Sequence, residues 1–274
     1  MHNLIEALSY PFVARALAVG VMVSLSAALL GVILVLKRFS LIGHGLSDVG
    51  FASLTIGLVL GLSPILFAGP AVIGAAVVMM LVSQHYGASG DVAIGVASTG
   101  ALALGIIVAA AGPGINLDVH NYMFGSILSV NTVDLYLAAA LLTVVLVAFA
   151  VFHNRLFLVT FDETFARAAG VNVPFYHLVI AVLTALTVVT GMRMVGTLLI
   201  SGLIIFPAVT ARRLATSFRG MIVVAAVVSL LGCVSGMALS LISDWPAGAC
   251  VVAVNILFFF LAFLRDAVLP ARAA

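Results

Sequence analysis

Apolar stretches near the ~20 residues a helix needs to cross a ~30 Å hydrocarbon core recur from one end of the chain to the other. In lipid every backbone donor and acceptor must be satisfied within the segment or by a closed barrel, so stretches of this length and evenness read as helices. No interval between them could hold a soluble domain. With 65% hydrophobic and 7% charged residues among 274, against roughly 25% charged in soluble domains, the chain reads as an all-α polytopic membrane protein with one transmembrane domain over residues 1–274. Glu6, rather than a basic region, precedes the first stretch, and no small-residue cleavage pattern follows it. That segment reads as an uncleaved helix.

Hydropathy predicts helices near 12–36, 41–62, 65–84, 92–111, 132–152, 174–191, 195–211, 221–242 and 247–264. About nine spans follow, within a range of eight to ten. With the N-terminus outside, Lys37, Arg38, Arg155, Arg167, Arg212, Arg213, Arg219, Arg265 and Arg272 fall on the cytoplasmic side, and only Arg15 and Arg193 lie elsewhere. Short-loop basic residues concentrate inside, so the expected orientation is N-out and C-in.

Interruptions within the spans carry further expectations. Pro207 removes an amide donor in mid-helix and reads as a kink, and the interval Gly191 to Gly196 reads as a short turn or a local unwinding. Gly57/Gly61 and Gly232/Gly236 allow close helix approach, a spacing that 25 glycines produce by chance. Trp245 fits an outer-interface anchor, and Cys233 and Cys250 read as packed thiols within apolar segments. The outer loop Gly112 to Asn131 holds Asp118 and His120, which could capture an ion and hand it inward, although such residues in a loop are ordinarily just solvated.

The inner segment 160–170 is polar and helix-prone. Thr160 reads as an N-cap with Glu163 three residues on, as in a capping box, and Gly170 as the stop. Phe161, Phe165 and Ala169 line one face, while Asp162, Ala166 and Arg167 point elsewhere. Such a short amphipathic helix is either a surface-lying connector or a docking peg for a cytoplasmic partner.

Enzymatic motifs are missing. The single lysine, Lys37, stands between Leu36 and Arg38, so there is no P-loop, and His-Glu-x-x-His, Cys-x-x-Cys and Gly-x-Ser-x-Gly are all absent. A transport role is what the composition leaves. The run Gly43-His44-Gly45-Leu46-Ser47-Asp48 then places an imidazole and a carboxyl four residues apart, on one face of a helix. Ionisable groups inside the hydrocarbon region cost several kcal/mol unless paired, hydrated or ion-bound, and so mark transport pathways more often than packing. With Arg38 near the inner interface, a rise of ~1.5 Å per residue puts His44 about 9 Å and Asp48 about 15 Å into the core. Imidazole and carboxylate are both good ligands for zinc and other first-row divalent ions, but two are too few for a closed site. A second copy related by a two-fold axis would supply two more. The plainer alternative is a His–Asp hydrogen bond in a polar bundle interior.

The stretch from Lys37 through Gly43-His44-Gly45-Leu46-Ser47-Asp48 to Phe51 resembles metal-uptake ABC transporter permeases of the zinc/manganese type. So do Asn121 to Leu128, Thr160 to Arg167 and Gly196 to Ala208, the likeness being greatest to the zinc-uptake branch. The resemblance implies a permease homodimer bound to two cytoplasmic ATPase subunits and fed by an extracytoplasmic metal-binding protein. It also implies that 160–170 is the coupling helix, with Asp162, Glu163, Phe165, Arg167 and Gly170 coupling it to the ATPase; His44 and Asp48 are the expected metal ligands on their chemistry and depth, in a neighbourhood that the resemblance supports. The expected chain binds no cofactor of its own, carries a divalent metal, sits in a prokaryotic plasma membrane among lipid, has no nucleic-acid partner and leaves ATP hydrolysis to its partner. The family usually reads aspartate first and histidine four residues later, an order inverted here. Zinc is the expected cargo, with manganese or iron as alternatives; a rival of a different class is a proton-coupled carrier without an ATPase.

Overall fold

A computed structural model describes residues 10–86, 88–111 and 130–268, together with Gly125. Among the described residues there are ten helices: α1 Pro11–Leu36, α2 Ser40–Val59, α3 Pro64–Tyr86, α4 Ala88–Ala111, α5 Thr132–Phe161, α6 Glu163–Ala168, α7 Val173–Val195, α8 Thr197–Leu214, α9 Phe218–Ser243 and α10 Ala247–Val268. The nine long ones occupy the nine expected stretches, and α6 falls in the inner segment. Seven of them, α1, α2, α4, α5, α7, α9 and α10, are long and apolar enough to cross a membrane. The apolar part of α3 is shorter, Leu66–Val82, and α8 carries Arg212 and Arg213 in its last turn.

Two helices form the centre. In α1 78% and in α2 72% of the span is buried, against 17% in α4, so α1 and α2 are hydrophobic all round because protein surrounds them. α1 packs against α5, α7, α8 and α9, whereas α2 packs against α3, α4, α7 and α8. Several polar side chains of the interior find partners on the preceding turn or on a neighbouring helix. Thr184 and Thr187 of α7 donate to the carbonyls of Ile180 and Leu183 one turn back, and Ser229 of α9 donates across to the Ser24 carbonyl of α1 at 2.7 Å. A hydroxyl that returns its proton to the preceding turn leaves no donor unpaired in an apolar medium.

Several local expectations need adjustment. α5 runs to Phe161, well past residue 152, because nothing in His153 to Phe161 breaks a helix once its polar side chains reach the end of the bundle. α7 continues through Arg193 to Val195, and Gly196, at φ 92°, makes the turn into α8. Pro207 lies inside α8, at the mid-helix position expected. Gly232 and Gly236 do lie at a close approach: a methyl at either would run into Asn255 or the Val251 backbone of α10. Cys233 and Cys250 are buried free thiols, and Trp245 is exposed beside the left-handed Asp244.

Candidate functional site

α2 presents the ionisable pair. His44 Nε2 lies 3.6 Å from Asp48 Oδ2, as the i, i+4 spacing requires. Their surroundings differ sharply. The His44 side chain is 46% exposed on the flank of the bundle, whereas Asp48 is 1% exposed. Small residues explain how α2 sits so deep: a methyl on Gly45 would meet the Met79 thioether of α3, and one on Gly50 would meet Met192 of α7. The neighbouring helices therefore press on the α2 backbone itself, and His44 emerges on a side they leave open. Ser47 returns its hydroxyl to the Gly43 carbonyl at 2.9 Å and faces the interior.

Asp48 has a partner that sequence reasoning missed. Ser98, on α4 and 3% exposed, donates its hydroxyl to Asp48 Oδ2, while Asp48 Oδ1 is buried without a hydrogen bond. A buried acceptor oxygen left unmatched normally costs about 1–3 kcal/mol, so Asp48 Oδ1 has acceptor capacity to spare. The local cue was only the Ser98-Thr99 pair in an apolar run, and helix hydroxyls usually serve their own preceding turn, as Thr99 does with the Gly95 carbonyl at 2.9 Å. No group of three or more His, Cys, Asp or Glu side chains that could hold a metal ion exists among the described residues. Asp118 and His120, the expected outer capture pair, lie outside the described residues, as does the stretch 121–128 apart from Gly125.

The inner segment folds as a short helix with its cap two residues later than expected. Thr160 belongs to the end of α5 and donates to the Leu156 carbonyl at 2.6 Å, so it caps nothing. Asp162 is the N-cap, accepting from the Phe165 amide at 2.8 Å, because its short carboxylate reaches the free donors of the first turn. Gly170, at φ 76°, ends the helix, and the Val171 amide returns to the Ala166 carbonyl at 2.9 Å. The packing face also differs from the amphipathic reading. Ala166 is the buried residue of α6, whereas Phe161, Phe165 and Ala169 are all exposed. Phe165 and Arg167 thus project from the end of the bundle, the phenyl 58% and the guanidinium side chain 65% exposed.

Glu163 turns the other way. Its Oε1 is 2.6 Å from Lys37 Nζ and 3.2 Å from His177 Nε2, and its Oε2 is 3.8 Å from Arg167 Nη2. Burial lowers the Lys37 ammonium below its ordinary 10.5, a shift that the hydrogen bond and charge of Glu163 oppose. For Glu163 burial pushes upward, but the hydrogen bond and charge of Lys37, then the charges of His177 and Arg167, outweigh it and hold the carboxyl below 4.5.

Fold and site together define a polytopic helical permease with an imidazole–carboxyl pair inside a span and a short helix projecting from one end. The chain belongs to the ABC 3 transport family, whose pattern matches residues 9–266. This is the family of metal-uptake ABC permeases, and the chain is a multi-pass protein of the bacterial plasma membrane. It is 30% identical to the manganese transport system membrane protein MntC of Halalkalibacterium halodurans, over 94% of this chain and 88% of that one. It is also 30% identical to the high-affinity zinc uptake system membrane protein ZnuB of Haemophilus influenzae, over 91% of this chain and 96% of that one. A solved structure of PsaBC from Streptococcus pneumoniae in complex with Fab superposes with a TM-score of 0.84 at 30% identity, covering 96% of this chain and 95% of that one. Equal identity to a manganese and a zinc relative leaves the greater likeness to the zinc branch, expected from the motifs, without support.

Proposed function

We propose that the chain is the single-domain membrane permease, over residues 1–274, of an ATP-driven importer of a divalent transition metal, zinc in the first place, which crosses at the interface of a homodimer. The observation that carries this reading is the placement of His44 and Asp48: one buried carboxyl oxygen without a partner, and one imidazole exposed on the flank of a membrane helix. An imidazole turned to lipid is unfavourable, so a second copy or a hydrated path belongs on that flank. Two copies bring two imidazoles and two carboxyls, a complete donor set for a four-coordinate ion.

Zinc is preferred because imidazole suits it, while carboxylate oxygen also suits manganese. The manganese relative at 30% identity favours that second reading, and iron belongs to the same series. On the cytoplasmic side, Asp162, Phe165 and Arg167 face two ATPase subunits, Gly170 closes the helix, and Glu163 ties it inward. An extracytoplasmic binding protein delivers the ion, with Asp118 and His120 as an outer capture pair. The chain itself binds no cofactor, and ATP is used by the partner. The N-out, C-in orientation is supported by Lys37, Arg155, Arg167 and Arg219, which contacts from Lys37 to Glu163, Arg155 to Tyr176 and Arg219 to His153 gather around the same helix ends.

Metal-stimulated ATP hydrolysis by the assembled transporter, measured with zinc, manganese and iron in turn, tests coupling and selectivity together. Stimulation greatest with zinc is the expected result. Transport of zinc in liposomes by the chain purified without any ATPase would replace this reading with a proton-coupled carrier.

A further inference from the structure

Lys37 is the only lysine of the chain, and its side chain is 3% exposed. Its ammonium donates to the Val159 carbonyl at 2.8 Å, at the end of α5, and to Glu163 Oε1 at 2.6 Å, on α6. The same Glu163 oxygen faces His177 on α7, whose ring stands edge-on to Phe39 at a centroid distance of 6.4 Å. Lys37 Nζ also lies 5.7 Å from the centre of the Phe39 ring. Four elements therefore meet around one ammonium: the α1–α2 corner, the end of α5, α6 and the start of α7.

The corner that carries Lys37 is tight. Arg38 adopts φ 61°, a left-handed conformation that a non-glycine residue takes only where its surroundings enforce it. The Phe39 amide returns to the Leu34 carbonyl at 2.8 Å, and α2 begins at the next residue, Ser40. His44 follows one turn later on the same helix. α6, by contrast, has six residues and packs mainly on α5 and α7.

We propose that Lys37 and Glu163 form the strut through which movement of α6 reaches α2 and its His44–Asp48 pair, with His177 and Phe39 bracing it. Two charged groups rather than an apolar contact suit this task. A charge-assisted hydrogen bond holds its partners at one distance and resists being pulled apart in a weakly hydrated site, whereas apolar side chains slide. Pulling α6 away from the bundle draws Glu163 with it; Lys37, seated at the tight corner, hands the displacement to the first turn of α2. Lys37 and Glu163 act here as positioning residues, touching neither metal nor ATP.

This rests on the reading of 160–170 as the ATPase-docking segment, and the test separates the two. In the assembled transporter in liposomes, metal moved per ATP hydrolysed is measured for Lys37→Met, Glu163→Ala, the double variant, Lys37→Arg, and, separately, Phe165→Ala and Arg167→Glu. Lys37→Met and Glu163→Ala are each expected to lower metal moved per ATP by about tenfold, the size of effect such coupling elements carry. Lys37→Met keeps hydrolysis within about twofold, the double variant is no worse than the worse single one, and Lys37→Arg recovers most of the loss. Unchanged coupling, losses that multiply in the double variant, or failure of all strut variants to assemble would overturn the strut, the last by making the contact a staple for folding alone. If instead Phe165→Ala and Arg167→Glu leave metal-stimulated hydrolysis at wild-type level, the docking reading fails, whatever the strut variants do.

Discussion

His44 and Asp48 approach to 3.6 Å across one turn of α2, yet one side chain is 46% and the other 1% exposed. A pair meant only to satisfy itself inside a bundle would have both members covered. This one has a carboxyl anchored inward by Ser98 and an imidazole turned outward; on the proposed reading, an ion between them is gripped from the core and stays open to the flank.

Removal of either member should therefore remove transport rather than folding. His44→Ala and Asp48→Ala are expected to lower metal uptake in cells by at least about 100-fold, since loss of a ligand from a two-residue half-site should cost no less than the upper end of the 10–100-fold range for losing an outer-shell partner. Normal yield and assembly on size-exclusion chromatography accompany the loss. Wild-type uptake in either variant would sink the site.

Ser98 orients the carboxyl without being an obvious ligand. Ser98→Ala frees both Asp48 oxygens, and uptake at limiting metal should fall by about tenfold while uptake at saturating metal changes little. The concentration dependence of uptake decides this; a loss confined to the saturating rate would place Ser98 elsewhere in the cycle.

The projecting face of α6 should matter to the ATPase and not to the permease fold. Arg167→Glu reverses a charge that is 65% exposed and ends its contact with Glu163, so thermal stability of the solubilised permease should fall by no more than about 1 kcal/mol, the range for exposed ion pairs. Coprecipitation of the ATPase with the permease should drop severalfold. Retention of full binding would move the docking surface away from α6.

Acid should loosen the Lys37–Glu163 contact in a defined window. Because Glu163 is held below 4.5, its contribution is fully present above about 4.5 and is lost as pH falls through the lower folded value. Thermal unfolding of the solubilised permease followed from pH 7 to 3 should show a smaller acid loss for Glu163→Gln than for wild type. Equal slopes would mean that the ion pair carries no acid-labile stability.

Much of the molecule was readable in the chain because membrane insertion makes local composition decisive. A segment of about 20 apolar residues has few choices in lipid, so the nine long helices lie where hydropathy put them. His44 and Asp48 stood out for the same reason, as ionisable groups where such groups are costly. The cap of α6 was misread by two residues, Thr160 in place of Asp162, since both can cap and only the end of α5 decides between them.

Contacts between distant segments were beyond such reasoning. Ser98 and Asp48 are 50 residues apart, and Lys37 and Glu163 are 126 apart; neither pairing leaves a periodic trace, because a hydroxyl or a lysine at a helix end is explained equally well by solvent. The sequence by itself determined a helical membrane permease with an imidazole and a carboxyl on one face of α2. Only tertiary packing decided that the carboxyl is buried while the imidazole is exposed, and that Glu163 turns in to Lys37 while Phe165 and Arg167 turn out. Those choices depend on which helices crowd each face, and a one-dimensional pattern of polarity does not record its neighbours.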